Sequence, residues 1–274
     1  MAINPADFDY ISKIVREQSA IVLEKGKEYL VESRLMPLVH QEKMGSLENL
    51  VAKLKAQPRG ELRDTVIEAM TTNETSFFRD IHPFETLKKE IFPDLMEKRK
   101  DKKELNIWCG ASSSGQEPYS LAMILKNQFP ALNTWKVSFA ASDISNQMLN
   151  RCRSGIYSQL EINRGLPAPL MVKYFSRLGT EWQVKEDLRK MIQFRITNLS
   201  ERWPFMPPLD LIMMRNVLIY FDVDMKKEIL GKIRKLLKPD GYLFLGAAET
   251  TLNLDDNFER MPYKQSGCYR LKQG

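Results

Sequence analysis

Apolar positions recur at helical spacing through the first quarter of the chain, and strand-like runs begin only near residue 105. Asn4-Pro5 supplies a cap and a first turn, after which Phe8, Ile11 and Val15 line one helical face. Residues 27–44 are helical in composition but contain Pro37, which is expected to kink or break the helix. Ser46 caps a third run whose Leu47, Leu50, Val51 and Leu54 form one stripe, and Leu62, Val66 and Met70 mark a fourth. The pattern predicts a helical domain over residues 1–72, a connector with lead-in helices over 73–104, and an α/β domain over 105–274.

In the α/β part, the strand around Leu105-Asn106-Ile107-Trp108 runs into a loop of small residues, Cys109-Gly110-Ala111-Ser112-Ser113-Ser114-Gly115-Gln116-Glu117, and Pro118 is expected to open a helix reaching residue 129. A second strand, 136–141, ends at Asp143, and 146–154 suits a helix. A third, 192–196, ends at Asn198-Leu199, and a fourth, 209–214, ends at Arg215-Asn216. A helix over 224–237 is expected to stop at Pro239-Asp240-Gly241 before a buried strand at 242–245. Residues 258–261 and 267–271 suit a closing antiparallel hairpin, so the whole predicts an α/β fold with a mainly parallel sheet. Residues 155–191 interrupt the alternation with short β-like pieces around Gly179, and a small β-rich insert is expected there.

Composition adds limits rather than a function. Hydrophobic residues at 43% and charged residues at 28% are those of a globular chain. The N-terminus lacks a basic, then apolar, targeting pattern, and no apolar run nears the roughly 18 residues that span a bilayer. A cytoplasmic protein with no membrane insertion is therefore expected. Cys109, Cys152 and Cys268 are far apart, and only His40 and His82 could join them, so neither a metal site nor a disulfide is expected. The net charge of +6 permits an acidic partner without requiring one.

The candidate chemistry lies where the strands end. Asp143, Asn198 and Asn216 follow three consecutive strands and would converge with the Gly110–Glu117 loop on one crevice at the carboxyl edge of the sheet. Each could singly be a helix cap. A carboxylate after the second strand suits two ribose hydroxyls, and Asn198 could read an adenine edge. The loop lacks the Lys-Ser/Thr of a triphosphate loop and the G-x-G-x-x-G of a dinucleotide fold, and Glu117 is a poor neighbour for phosphate. S-adenosylmethionine, which has no phosphate and carries a sulfonium and an ammonium, fits these residues.

Four blocks in order now carry a resemblance: Thr71-Thr72-Asn73-Glu74-Thr75-Ser76-Phe77-Phe78-Arg79, Cys109 to Ser120, Ala141-Ser142-Asp143-Ile144-Ser145, and Arg215-Asn216-Val217-Leu218-Ile219-Tyr220-Phe221. Together they resemble the CheR family of chemoreceptor glutamate methyltransferases, over almost the whole chain. The resemblance implies a Rossmann-like class I methyltransferase domain. It also implies that Asn73, Thr75, Arg79, Gly110, Ala111, Glu117, Asp143, Asn198, Leu199, Arg215 and Asn216 surround S-adenosylmethionine, whose product is S-adenosylhomocysteine. Arg79 and Tyr220 are then candidates for orienting the reacting groups, although either could only line the pocket. The sequence has Gln116 where many relatives carry an acid, which removes one charge beside Glu117.

The implied substrate is a glutamate side chain on the cytoplasmic domain of a chemoreceptor. Lys25, Lys27, Arg34 and Lys43 are expected to steer this acidic partner to the helical domain. Arg177-Leu178-Gly179-Thr180-Glu181-Trp182 lacks the Gly-rich extension seen in members of the family that bind a receptor tail, so tether-independent recognition is expected. Two other readings are a nucleic-acid methyltransferase and a non-catalytic module that senses S-adenosylmethionine. Against the former, the position after the fourth strand reads Arg215-Asn216-Val217-Leu218 rather than [DN]-P-P-[YFW], and no nucleic-acid partner is expected.

Overall fold

The computed structural model describes residues 3–273. The chain forms two compact units, one running up to Thr72 and taking in Tyr220–Met225, the other formed by Asn73–Ile219 and the chain from Lys226 onward.

The first unit is built from α1 (Pro5–Ser19), α2 (Glu28–Gln41), α3 (Leu47–Ala56) and α4 (Glu61–Met70). Asn4 and Ser46 cap α1 and α3, accepting the N–H groups of Asp7 at 2.9 Å and Asn49 at 3.3 Å. The stripes read from the sequence, including Phe8, Ile11, Leu50, Leu54, Val66 and Met70, form its core. Pro37, contrary to expectation, does not break α2: it and Ser33, one turn earlier, are exposed, so the carbonyl that loses its N–H partner faces water. Arg34 is turned inward, donating to the Met70 carbonyl at 2.6 Å and to Thr72 Oγ1 at 2.7 Å, and burial lowers its pKa.

The second unit opens with α5 (His82–Thr86), a π-helical turn at Leu87–Ile91 and α6 (Phe92–Arg99). Strand and helix then alternate through β1 (Glu104–Gly110), α7 (Gln116–Gln128), β2 (Lys136–Asp143) and α8 (Asn146–Ser154). The insert follows, with β3 (Ile156–Ser158), α9 (Gln159–Asn163), α10 (Ala168–Tyr174), β4 (Phe175–Leu178), β5 (Glu181–Val184) and α11 (Glu186–Arg189). The chain closes with β6 (Gln193–Ile196), β7 (Leu209–Met214), α12 (Val223–Leu236), β8 (Leu237–Leu245), β9 (Phe258–Arg260) and β10 (Cys268–Leu271).

The main sheet has the order β6-β2-β1-β7-β8-β10-β9. Its first five strands are parallel, and β10 and β9 add the antiparallel hairpin. Gly110 pairs with Ser142, Asp143 with Ile196, and Cys109 with Met213, so the carboxyl ends of β1, β2, β6 and β7 lie on one edge. The insert is a three-stranded antiparallel sheet, β3-β5-β4, but three short helices make it less purely β than expected.

Two boundaries differ from the sequence reading. The helix after the small-residue loop starts at Gln116, with Pro118 at its third position, still within the turn whose N–H groups lack intrahelical partners. Pro239-Asp240-Gly241 is no stop between helix and strand but lies inside β8, where the register against β7 slips between Leu209 and Leu211. A bulge needs no ladder hydrogen bond from Pro239, and a Cβ on Gly241 would stand 3.0 Å from the Leu209 carbonyl oxygen. The bulge is pinned by charge: Arg99 donates to both carboxylate oxygens of Asp240 at 2.9 and 2.6 Å and to Asp210 at 2.7 Å, while Lys238 reaches Asp210 at 2.8 Å.

Candidate active site

The loop after β1 is bent by three left-handed residues, Ala111 (φ 53°), Ser113 (φ 48°) and Gly115 (φ 97°). Two of them carry a Cβ, and such a conformation persists only where neighbours hold it. Here the Ser112 N–H donates to the Ser142 carbonyl at 2.8 Å and the Ser113 N–H to Asp143 Oδ2 at 2.8 Å. Asp143 Oδ1 accepts the Ser145 N–H at 2.9 Å. The Asp143 carboxylate thus fixes the loop after β1. A Cβ on Gly110 would lie 2.4 Å from the terminal methyl of Met214, whose flexible side chain would have to shift to admit it.

The connector is tied to the same loop. Ser113 Oγ donates to the Asn73 carbonyl at 2.8 Å, and the Phe78 N–H donates to Ser120 Oγ at 2.9 Å. Arg79 is half-buried and bonds the Glu74 carbonyl at 2.9 Å; Thr75 lies between them, also half-buried.

Arg215, whose side chain is 1% exposed, donates to Glu117 at 2.6 Å, to Asp80 at 2.8 Å and to the Arg79 carbonyl at 3.0 Å. Burial pushes the Glu117 carboxyl above its usual range, and the guanidinium opposes that shift. Asn216 sits in the left-handed region (φ 57°) with its N–H donated to Glu249 at 2.8 Å. Asn198 Oδ1 accepts from the Ser200 N–H at 3.1 Å in a local turn with no helix behind it to cap, and Leu199 beside it is buried.

Most of the residues singled out from the sequence are therefore joined, directly or through one neighbour, along one sheet edge. Tyr220 is the exception. It opens the segment that belongs to the helical unit, where its carbonyl accepts the Val22 N–H at 2.9 Å. Sequence reasoning passed over Asp80 and Glu249. Asp80 had a signal, since it follows Arg79 in the polar connector, whereas Glu249 lies in an unremarked Ala-Ala-Glu-Thr stretch.

Small residues bent around a carboxylate, two more acids on a buried arginine and no phosphate loop suit a cationic nucleoside better than a nucleotide. Arg215 Nε is buried without a hydrogen-bond partner, so the site also holds a donor suited to a polar ligand atom. With the parallel sheet, this defines the S-adenosylmethionine-dependent methyltransferase class of Rossmann-like proteins. Residues 73–266 match the CheR methyltransferase S-adenosylmethionine-binding domain, and residues 6–71 match the CheR methyltransferase all-alpha domain. The chain is 39% identical to the chemotaxis protein methyltransferase Cher2 of Pseudomonas putida, covering 99% of this chain and 100% of that protein. It is 41% identical to chemotaxis protein methyltransferase 1 of Pseudomonas aeruginosa, covering 97% and 98%, and 41% identical to the chemotaxis protein methyltransferase of Vibrio parahaemolyticus, covering 99% of each. The chain belongs to the CheR family, and is an S-adenosylmethionine-dependent protein-glutamate methyltransferase acting on chemoreceptors.

Among the described residues no helix is long and apolar enough to cross a membrane, and no three His, Cys, Asp or Glu side chains are grouped to hold a metal ion. The three cysteines are buried and unpaired.

Proposed function

We propose that methyl transfer to the receptor glutamate is organised by the residues on the carboxyl edge of the sheet, with Asn73, Thr75, Arg79, Gly110, Ala111, Glu117, Asp143, Asn198, Leu199, Arg215 and Asn216 surrounding S-adenosylmethionine. The observation that carries this reading is the Asp143 carboxylate, which grips the Ser113 N–H from the end of the neighbouring strand. Bound there, S-adenosylmethionine supplies an electrophilic methyl group on a sulfonium. A glutamate carboxyl with a pKa of about 4.3 is already ionised near neutral pH, so no residue of the chain has to act as a general base. Arg79 orients the reacting groups, and the contribution of the protein is alignment and exclusion of water. Nearby thiols do not compete as nucleophiles: burial pushes Cys109 well up and Cys152 to about 12, and Cys152 donates to the Ser113 carbonyl at 3.1 Å. The test is transfer of radiolabelled methyl into receptor. Label released by mild base identifies a carboxyl ester; base-stable label points to another acceptor, and no label leaves only a sensing module.

The receptor's cytoplasmic domain is reached through the helical unit. Arg34 is spent on the unit's own backbone and Lys27 pairs with Glu24 at 2.9 Å, which narrows the proposed steering charges to the exposed Lys25 and Lys43. The hairpin of the insert has no Gly-rich extension, since β4 and β5 are joined by Gly179-Thr180 alone, with Leu178 paired to Glu181 and a left-handed Gly179 (φ 60°), and this supports recognition without a tail. A receptor lacking its C-terminal tail is expected to be methylated about as fast as the intact one, with a rate that falls as salt screens the charges over a Debye length near 8 Å at about 0.15 M. Micromolar binding of the isolated tail peptide would refute tether independence, and rates indifferent to salt and to Lys25→Glu/Lys43→Glu would refute the steering.

A further inference from the structure

Glu249 is buried, with 8% of the residue exposed, and among the described residues no lysine or arginine stands within ion-pair distance of its carboxylate. It is satisfied instead by backbone. Its Oε2 accepts the N–H groups of Gly246 at 2.6 Å and Asn216 at 2.8 Å, and its Oε1 accepts those of Val217 at 2.8 Å and Leu218 at 2.7 Å. Four consecutive N–H groups, Asn216 to Ile219, converge on one anion and form a nest, a concavity that elsewhere receives a phosphate or a carboxylate ligand. Here the chain fills it from within, 33 residues downstream of Asn216. The nest begins at Asn216, in the left-handed region that Asn adopts more readily than other residues with a Cβ, and its N–H is held by the Glu249 carboxylate. Gly246 completes the clamp: a Cβ there would lie 2.7 Å from Asn216 Nδ2, 2.8 Å from Glu249 Oε2 and 2.9 Å from the Asn216 nitrogen.

We infer that Glu249 is a positioning residue for methyl transfer, its carboxylate holding the turn Asn216–Ile219 at the end of β7 so that Asn216 and the adjoining Arg215 meet the cofactor in one fixed geometry. This rests on the placement of S-adenosylmethionine argued above. The charge matters as well as the shape, because Oε2 accepts two N–H groups and Oε1 accepts three, the third from Ile219 at 3.4 Å, and a glutamine would turn an amide donor towards one of the two sets.

Glu249→Gln is therefore expected to lower the affinity for S-adenosylhomocysteine about tenfold or more by calorimetry, and to lower kcat with receptor as substrate. A folding effect alone is separated by Ile233→Ala, which removes a fully buried side chain from α12. That variant is expected to lower the denaturation midpoint while leaving the affinity within about twofold. Glu249→Asp, which keeps the charge one methylene short of the nest, is expected to fall between wild type and the glutamine variant. If the glutamine variant does not fold, the aspartate variant decides, and wild-type affinity there overturns the proposal. So does wild-type affinity in a folded glutamine variant, or an equal loss in Ile233→Ala. Failure of the wild-type chain to bind S-adenosylhomocysteine would instead overturn the placement of the cofactor.

Discussion

Asp143→Ala is expected to weaken binding of S-adenosylhomocysteine by at least about tenfold, and by about a hundredfold where two ligand hydroxyls are held. A hydrogen bond to a charged group contributes roughly 1.5–3 kcal/mol, and 1.4 kcal/mol is a factor of ten in affinity. The carboxylate also holds the loop from the inside, through the Ser113 and Ser145 N–H groups. Its removal leaves these buried donors without an acceptor and releases a loop whose Ala111 and Ser113 are in the left-handed region. Both effects act in the same direction, so the alanine variant should lose more affinity than the direct contacts alone would give. Calorimetry on the folded variant is the measurement, and an unchanged dissociation constant would remove Asp143 from the site.

The largest expected effect on stability lies at the opposite edge of the sheet. Asp210 is fully buried near the start of β7 and accepts from Arg99, from Lys238 and from the Asn106 N–H at 2.8 Å. Around it, the side chains of Arg99 and Lys238 are only 12% and 22% exposed. Removing the acid from such a cluster leaves buried cations and a backbone donor uncompensated, a change that typically destabilises by about 3–5 kcal/mol. Asp210→Ala should therefore lower the denaturation midpoint by on the order of 10 °C, at roughly 2–4 °C per kcal/mol for a domain of this size. S-adenosylhomocysteine affinity below the transition should stay near wild type, because the cluster is remote from the strand ends that carry the candidate site. A midpoint within about 2 °C of wild type would show that the ion cluster is replaceable by water.

These two aspartates also illustrate what could be read from the chain and what could not. Asp143 stood out because strand polarity is local: an apolar run followed by an acid is visible as such, and parallel pairing then aligns it with the ends of its neighbours. The helical stripes through Phe8, Leu50 and Val66 were legible for the same reason. Asp210 looked like an ordinary polar position within an apolar strand, since its partners lie on α6 and in the bulge of β8. The bulge itself was read as a stop because Pro-Asp-Gly is a turn signal in isolation, whereas Arg99 and Lys238 hold it inside a strand. Composition counts Arg34 among the steering charges, but its acceptors are the carbonyl of Met70, the last residue of α4, and the hydroxyl of Thr72 just beyond it. Glu249 was invisible for a related reason: its significance comes from main-chain N–H groups, which every sequence has.

The segment Tyr220–Met225 has a consequence for modular engineering. It belongs to the helical unit, although the residues on both sides of it belong to the other unit. The unit is therefore not a terminal cassette that can be cut at Thr72, since a graft of the first 72 residues would take four helices and leave behind the short piece whose Tyr220 carbonyl accepts the Val22 N–H. Chimeras between members of this family that exchange the helical unit would need two transplanted stretches, the N-terminal helices and residues 220–225. Hybrids built with a single junction would pair the helices of one parent with the return segment of another.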